Sequence, residues 1–308
     1  MATSTHQHIP VSQRVQNFCR AAGVTSGRDA ARIHAEQVLK QYGKTTLPID
    51  ARELCVLRGI QVEKSDLPDC AARILPIRGG YVAQVNTDDR STRQSFSLCH
   101  ELGHTLFDVA SISDAQCPEG MCSEDGFEEY LCDVVASELL MPTEAFTNVL
   151  EGRTAGWSEA WKIANTFGVS FHAAVGRIQK LDLWPCVLVI VQPIGERGTH
   201  PQFKLDTYYS SESLGRDAIG VGVLAGKVVD FLNARGDEVL TTGHSYELDS
   251  RLPTSLSIQG QYFKIADNQL GRVLVFKTPR PGSSKEASKT FKTALMSTRL
   301  EQLQLEEL

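Results

Sequence analysis

Apolar positions recur at helical spacing over residues 28–42 (RDAARIHAEQVLKQY), through Ala31, Ile33, Val38 and Leu39, and predict a helix there. After a short loop at Pro48 a second helical stretch reads ARELCVLRG, with Gly59 placed to cap its C-terminus. Two strand-like runs follow, ARILPI and GGYVAQVN, and the Gly79-Gly80 pair between them predicts a hairpin turn. Helical patterning returns near 92–108 (TRQSFSLCHELGHTLFD) and again over 127–140, where the Met141-Pro142 step ends it. Between those two helices, residues 111–126 are rich in Asp, Ser, Gly and Glu and read as a loop. Residues 157–182 hold two short helical patterns around Phe167-Gly168-Val169-Ser170, a helix-turn-helix look with Gly in the turn and Ser170 as N-cap. From 183 the pattern changes. CVLVIVQPI reads as a buried strand, HPQFKLDTYY, HSYELD, QYFKIADN and GRVLVFKT as further strands, and VLAGKVVDFLNARG as one helix.

Three parts are therefore expected: 1–182, with the helix-turn-helix-like segment at its end; 183–280, a mixed α/β domain; and 281–308, a flexible or helical tail. The 308-residue length agrees, since domains run to about 150 residues. A hydrophobic share of 42% with 22% charged residues excludes wholesale disorder. Lys+Arg of 31 against Asp+Glu of 37 leaves a net charge of −6, a poor match to a surface that grips nucleic acid throughout. No apolar run is long enough to span a bilayer and MATSTHQHIP has no signal core, so a cytoplasmic protein without membrane contact is expected. Eight scattered cysteines, with no CxxC pair, then read as reduced thiols.

One segment carries chemistry. His100-Glu101-Leu102-Gly103-His104 is HExxH, and on a helix residues i and i+4 share a face, so both imidazoles reach one metal ion. Two neutral imidazoles and a carboxylate with an open position suit zinc. Zinc lowers the pKa of bound water to about 7 and polarises a carbonyl, and Glu101 would take the water's proton and pass it to the leaving amine. The next helix offers Glu128, Glu129 and Asp133 as third ligand. Glu129 and Asp133 share a face, so an economical arrangement puts Glu129 on the metal and Asp133 against a ligand imidazole N–H, with Glu128 as the main rival. In the 111–126 loop, Cys117 or Cys122 would displace the water and hold the enzyme latent if its thiolate reached the open position; loop cysteines without a role are the plain alternative.

RQSFSLCHELGHTLFD followed by EEYLCDVVASELLMP resembles the ImmA/IrrE family of zinc metallopeptidases, through Arg93, Phe96, Ser97, His100, Glu101, Gly103 and His104, then Glu129, Asp133, Ala136, Leu139, Leu140, Met141 and Pro142. Cys99 and Cys132 stand where that family usually has Ala, Val135 where it has Phe, and Asp133 where Asn is commoner. The resemblance covers about residues 28–182. It implies His100, His104 and Glu129 as zinc ligands in a Glu-type zincin, with Glu101 as base. It also implies an α+β protein: a mainly helical zincin-like peptidase domain with a small sheet and a helix-turn-helix-like bundle, followed by a GAF-like sensor domain. Members of the family typically cut a partner transcription repressor, often one with a helix-turn-helix, and release stress or anti-phage genes; long members occur beside defence systems such as CBASS.

Two other readings stand beside this one. Residues 157–182 would read DNA, with a structural metal site, through Arg177, Lys180 and His172. Residues 183–280 would sense a small molecule, or single-stranded nucleic acid stacked on Phe203, Tyr208 and Tyr209, against the plainer reading of those aromatics as core.

Overall fold

The computed structural model describes residues 13–44, 46–109, 126–194, 201–217, 220–235, 238–242, 244–248, 256–265 and 268–277. Cys117, Cys122, His200 and the 281–308 tail lie outside the described residues. By internal contacts the chain divides into two units, Met1–Val149 with Ile163–Ala173, and Leu150–Lys162 with Ala174–Leu308. Residues 150–162 and 174–182, read from the sequence with the first domain, group with the second unit.

In the first unit, α1 (Gln13–Ala21) buries Val15, Phe18 and Cys19, and α2 (Gly27–Tyr42) begins at Ser26, whose hydroxyl accepts the Asp29 N–H at 3.3 Å. Gly43, with φ of +67°, ends α2 in the left-handed conformation. Asp50 caps α3 (Ala51–Leu57) by accepting the N–H groups of Arg52 and Glu53. Three strands follow, β1 (Ile60–Ser65), β2 (Ala72–Ile77) and β3 (Gly80–Asn86), in the order β1-β3-β2. β1 runs parallel to β3, and β2 runs antiparallel to it along a sheet edge. The hairpin turn falls on Arg78-Gly79, one residue earlier than the sequence predicts, because Gly80 already pairs with Ile77 as the first residue of β3, while Gly79 (φ +94°) makes the turn.

Helix α4 (Ser91–Val109) carries HExxH and packs on α1, α3, β2 and β3. Helix α5 (Gly126–Leu140) packs on α4 and α2 and is apolar nearly all round, with Leu131, Cys132, Val134, Val135, Ala136, Leu139 and Leu140 buried, as befits a central helix. The contact between α4 and α5 depends on Gly103. A Cβ there would stand 3.2 Å from the Cys132 Cα and 3.3 Å from its Cβ, so even alanine would press the two helices apart by a few tenths of an ångström. Helix α6 (Thr143–Leu150) starts right after the Pro142 break.

Helices α7 (Trp157–Phe167) and α8 (Phe171–Lys180) flank the turn the sequence marks. Gly168 has φ of +63°, and the Ser170 hydroxyl accepts the Ala173 N–H at 3.1 Å. A Cβ on Gly168 would lie 2.9 Å from the Pro48 Cβ. Gly168→Ala should therefore lose about 1–2 kcal/mol to the left-handed backbone and about 1–3 kcal/mol more to overpacking. Urea unfolding measures this, and an unchanged midpoint would show that the turn relaxes freely.

The second unit is built on five strands: β4 (Cys186–Ile194), β5 (Gln202–Ser210), β6 (Tyr246–Glu247), β7 (Leu256–Ile265) and β8 (Asn268–Lys277), in the order β5-β4-β8-β7-β6. Every pairing is antiparallel. Val187, Val189, Val191, Val273 and Val275 pack with residues of α9 (Glu212–Asp217), α10 (Val221–Arg235) and α11 (Glu238–Thr241) in one core. Cys186, Leu188, Ile190 and Leu274, on the opposite face, are buried as well. Burial on both faces explains why CVLVIVQPI has no polar alternation although its sheet is antiparallel.

Candidate metal centre

The long helix α4 presents His100, Glu101 and His104 toward α5, and burial follows from the packing of both helices: Glu101 and His104 are buried and His100 is nearly so. His100 Nε2 and His104 Nε2 stand 3.2 Å apart. Glu129, from the first turn of α5, places Oε2 at 3.1 Å from His100 Nε2 and Oε1 at 3.4 Å from His104 Nε2. Four ligands held at about 2.0–2.1 Å around a tetrahedral zinc lie about 3.3 Å from one another. The observed separations match that edge. Asp133 Oδ1 lies 2.9 Å from His100 Nδ1, one turn along α5 from Glu129. With Nδ1–H donated to Asp133, His100 turns a lone pair on Nε2 into the gap. Lone pairs and carboxylate oxygens this close repel unless a cation or a proton sits among them, so the donor set fits a divalent ion.

Glu128 does not join that cluster. It is only 1% exposed and addresses the other edge of the second imidazole, with Oε1 at 3.5 Å from His104 Nδ1 and 3.3 Å from Arg14 Nη2. Cys132 is a second candidate third ligand: one ligand atom each from His100, His104 and Cys132 lies within 4.8 Å of the others, a group able to hold a metal ion. Burial pushes the Cys132 thiol far above its ordinary range, and the charges of Glu128, Glu129, Glu101 and Asp133 push it further. A thiolate there would be one more negative charge among four carboxylates, whereas Glu129 already reaches both imidazoles. We therefore favour Glu129 over Cys132.

Electrostatics divide the roles. Burial raises the Glu101 carboxyl above the usual carboxylate range, partly countered by His104 and His100 and by the Ile74 backbone N–H, which donates to it from the edge strand β2. Burial lowers His100, but its bond to Asp133 and the charges of Asp133, Glu101 and Glu129 outweigh burial and leave it raised. Protons then compete with a metal for His100 in weak acid. Elsewhere, among the described residues six cysteines are free, and burial pushes the Cys55 and Cys186 thiols up to about 12, which leaves them inert at neutral pH.

The DNA-reading alternative loses its main contact. Arg177 is 4% exposed, so its guanidinium is not available to phosphates or base edges. Of the three aromatics assigned to base stacking, Phe203 is in the core of the second unit, while Tyr208 and Tyr209 on β5 are 40% and 49% exposed. Helix α1 has no counterpart among the elements predicted from the sequence, although Val15, Phe18 and Cys19, at i, i+3 and i+4, carry a helical signal.

No curated protein matches the chain. In fold it is similar to a Mycobacterium tuberculosis transcriptional regulator, with a TM-score of 0.51 and 16% identity, over 85% of this chain and 92% of that one. A family model, Peptidase M78, the IrrE N-terminal-like domain, matches residues 57–179, the stretch that holds β1 to β3, α4, α5 and every proposed ligand. Over residues 57–179 the chain is thus similar to the IrrE N-terminal-like domain of the Peptidase M78 family, a family of metallopeptidase type.

Proposed function

We propose that the protein is a zinc-dependent endopeptidase that cleaves a partner transcription repressor in the cytoplasm and so releases stress or anti-phage genes, under control of a GAF-like second unit. The observation that carries this reading is the meeting of His100 Nε2, His104 Nε2 and the Glu129 carboxylate at 3.1–3.4 Å beside a buried Glu101. Zinc held by those three side chains would supply the Lewis acidity that activates water and a peptide carbonyl. Glu101 does the proton transfer: its raised pKa makes it a better base than an ordinary carboxylate, and, once protonated, a donor to the departing amine. Asp133 keeps His100 in the tautomer that leaves Nε2 unprotonated.

Strand β2 supports a protein substrate. It is an edge strand, its Ile74 backbone touches Glu101, and Leu75 and Ile77 are exposed along it. An extended peptide that pairs with such an edge gains backbone hydrogen bonds along its length and lies beside the base. Pro76 limits self-pairing at the same edge by removing one donor. In the second unit, Tyr208 and Tyr209 are exposed enough to meet a small-molecule or single-stranded nucleic acid effector, while Phe203 serves the core. Among the described residues no helix is long and apolar enough to cross a membrane, in keeping with action on a protein partner in the same compartment.

The test is a mixture of the zinc-loaded chain with a helix-turn-helix repressor encoded beside its gene, followed by intact mass spectrometry. Two fragments summing to the repressor plus one water are expected, and none after removal of zinc by a chelator. An uncut repressor under conditions where zinc is bound stoichiometrically would overturn the peptidase reading.

A further inference from the structure

We propose that Glu128, neutralised by Arg14 of α1, is the positioning residue for His104, which makes the N-terminal helix a working part of the metal centre although it lies outside the matched domain. The inference rests on the metal-centre reading above. Glu128 and Glu129 are adjacent in sequence and so point about 100° apart around α5. That offset lets them address opposite edges of one ring: Glu129 Oε1 is 3.4 Å from His104 Nε2, and Glu128 Oε1 is 3.5 Å from His104 Nδ1. A neutral imidazole has one N–H. A carboxylate at the Nδ1 edge draws the proton there and leaves the Nε2 lone pair for the ion. Each ligand histidine then has a carboxylate at its Nδ1 edge, Asp133 at 2.9 Å from His100 as a hydrogen bond and Glu128 at 3.5 Å from His104 as an ion-pair contact.

The two carboxylates differ in their surroundings. The Asp133 side chain is 53% exposed, and water can hydrate it. The Glu128 side chain is 1% exposed, and no hydrogen bond of normal geometry reaches its Oε1 among the described residues. A carboxylate so far from water needs a partner of opposite charge within reach. Arg14 Nη2, 3.3 Å from the same Oε1, supplies it. Helix α1 is held in place by packing on α4 and α2. Phe18, four residues after Arg14 and on the same face, stacks on Phe107 with ring centroids 4.0 Å apart, and Phe107 is three residues after His104 on α4. His34 of α2 adds a 3.0 Å contact between its Nε2 and the Phe18 carbonyl.

The experiment uses the full chain stripped by chelator, with zinc alone as probe. Zinc affinity is read by competition with a chromophoric chelator, and the His104 tautomer by long-range proton–nitrogen NMR of the zinc-free protein. Glu128→Gln and Arg14→Gln are each expected to weaken zinc binding by about 10- to 100-fold and to move His104 away from the Nδ1–H tautomer, while Arg14→Lys restores part of both. Should Glu128→Gln fail to melt cooperatively, Arg14→Gln decides, because the Arg14 side chain is one-third exposed and its loss spares the core. Wild-type affinity and an unmoved tautomer in Arg14→Gln would overturn the proposal while leaving the metal centre intact. Failure of the wild-type chain to bind zinc at all would instead overturn the metal-centre reading, and this one with it.

Discussion

Glu101→Gln is expected to cut the rate of repressor cleavage by about 100- to 10,000-fold, the usual worth of a positioned general base, with zinc content unchanged. The amide has the same shape, and its carbonyl oxygen still accepts the Ile74 N–H, but it takes no proton. Initial rates with zinc content by mass spectrometry provide the check; a rate near wild type would remove Glu101 from the chemistry. The same variant makes a second, opposite prediction for the zinc-free protein. Glu101 is raised in the folded chain, so its contribution to stability is fully present below its unfolded pKa and is lost as pH rises through the folded one. Gln removes that loss. The melting temperature of zinc-free Glu101→Gln should exceed wild type at pH 7 and converge with it near pH 4. A base held buried thus trades stability for reactivity.

Glu129→Ala carries the other large effect. It removes the oxygens that lie against both imidazoles, so zinc affinity should fall further than the about 10- to 100-fold that follows loss of a group that only orients a ligand. Cys132→Ala is the contrasting variant, since it deletes the competing donor and leaves Glu129 in place. Competition titrations should show Cys132→Ala binding zinc like wild type. The reverse order, with Glu129→Ala unaffected and Cys132→Ala empty, would transfer the third position to the thiol.

Much of the first unit was legible because its signals are local. The i, i+4 spacing of His100 and His104 needs only a helix, and Met141-Pro142, Gly168 and Ser170 each fix their own backbone. What periodicity cannot report is the partner of a buried face. Glu128 and Glu129 are alike as letters; only the arrival of α1, with Arg14 on one side of α5, gives them different tasks. Arg177 makes the same point, since as a letter in a short helix it is available to the alternative of DNA contact, and only the packing around it shows it to be 4% exposed. CVLVIVQPI reads as buried from its letters alone, but one of the two strands that flank it, β8, lies 80 to 90 residues away and leaves no mark on the local pattern.

The close approach that Gly103 permits has a consequence for which ions the protein takes up. The spacing among His100, His104 and Glu129 is dictated by how two helices abut, and it stands at the required value before any ion arrives. A gap gauged this way works like a fixed caliper: it sets the geometry, but nitrogen and oxygen donors hold copper, and to a lesser degree nickel and cobalt, by their own order of affinity, so the site does not single out zinc by strength of binding. Choice among these metals therefore passes from the protein to the cell that supplies them.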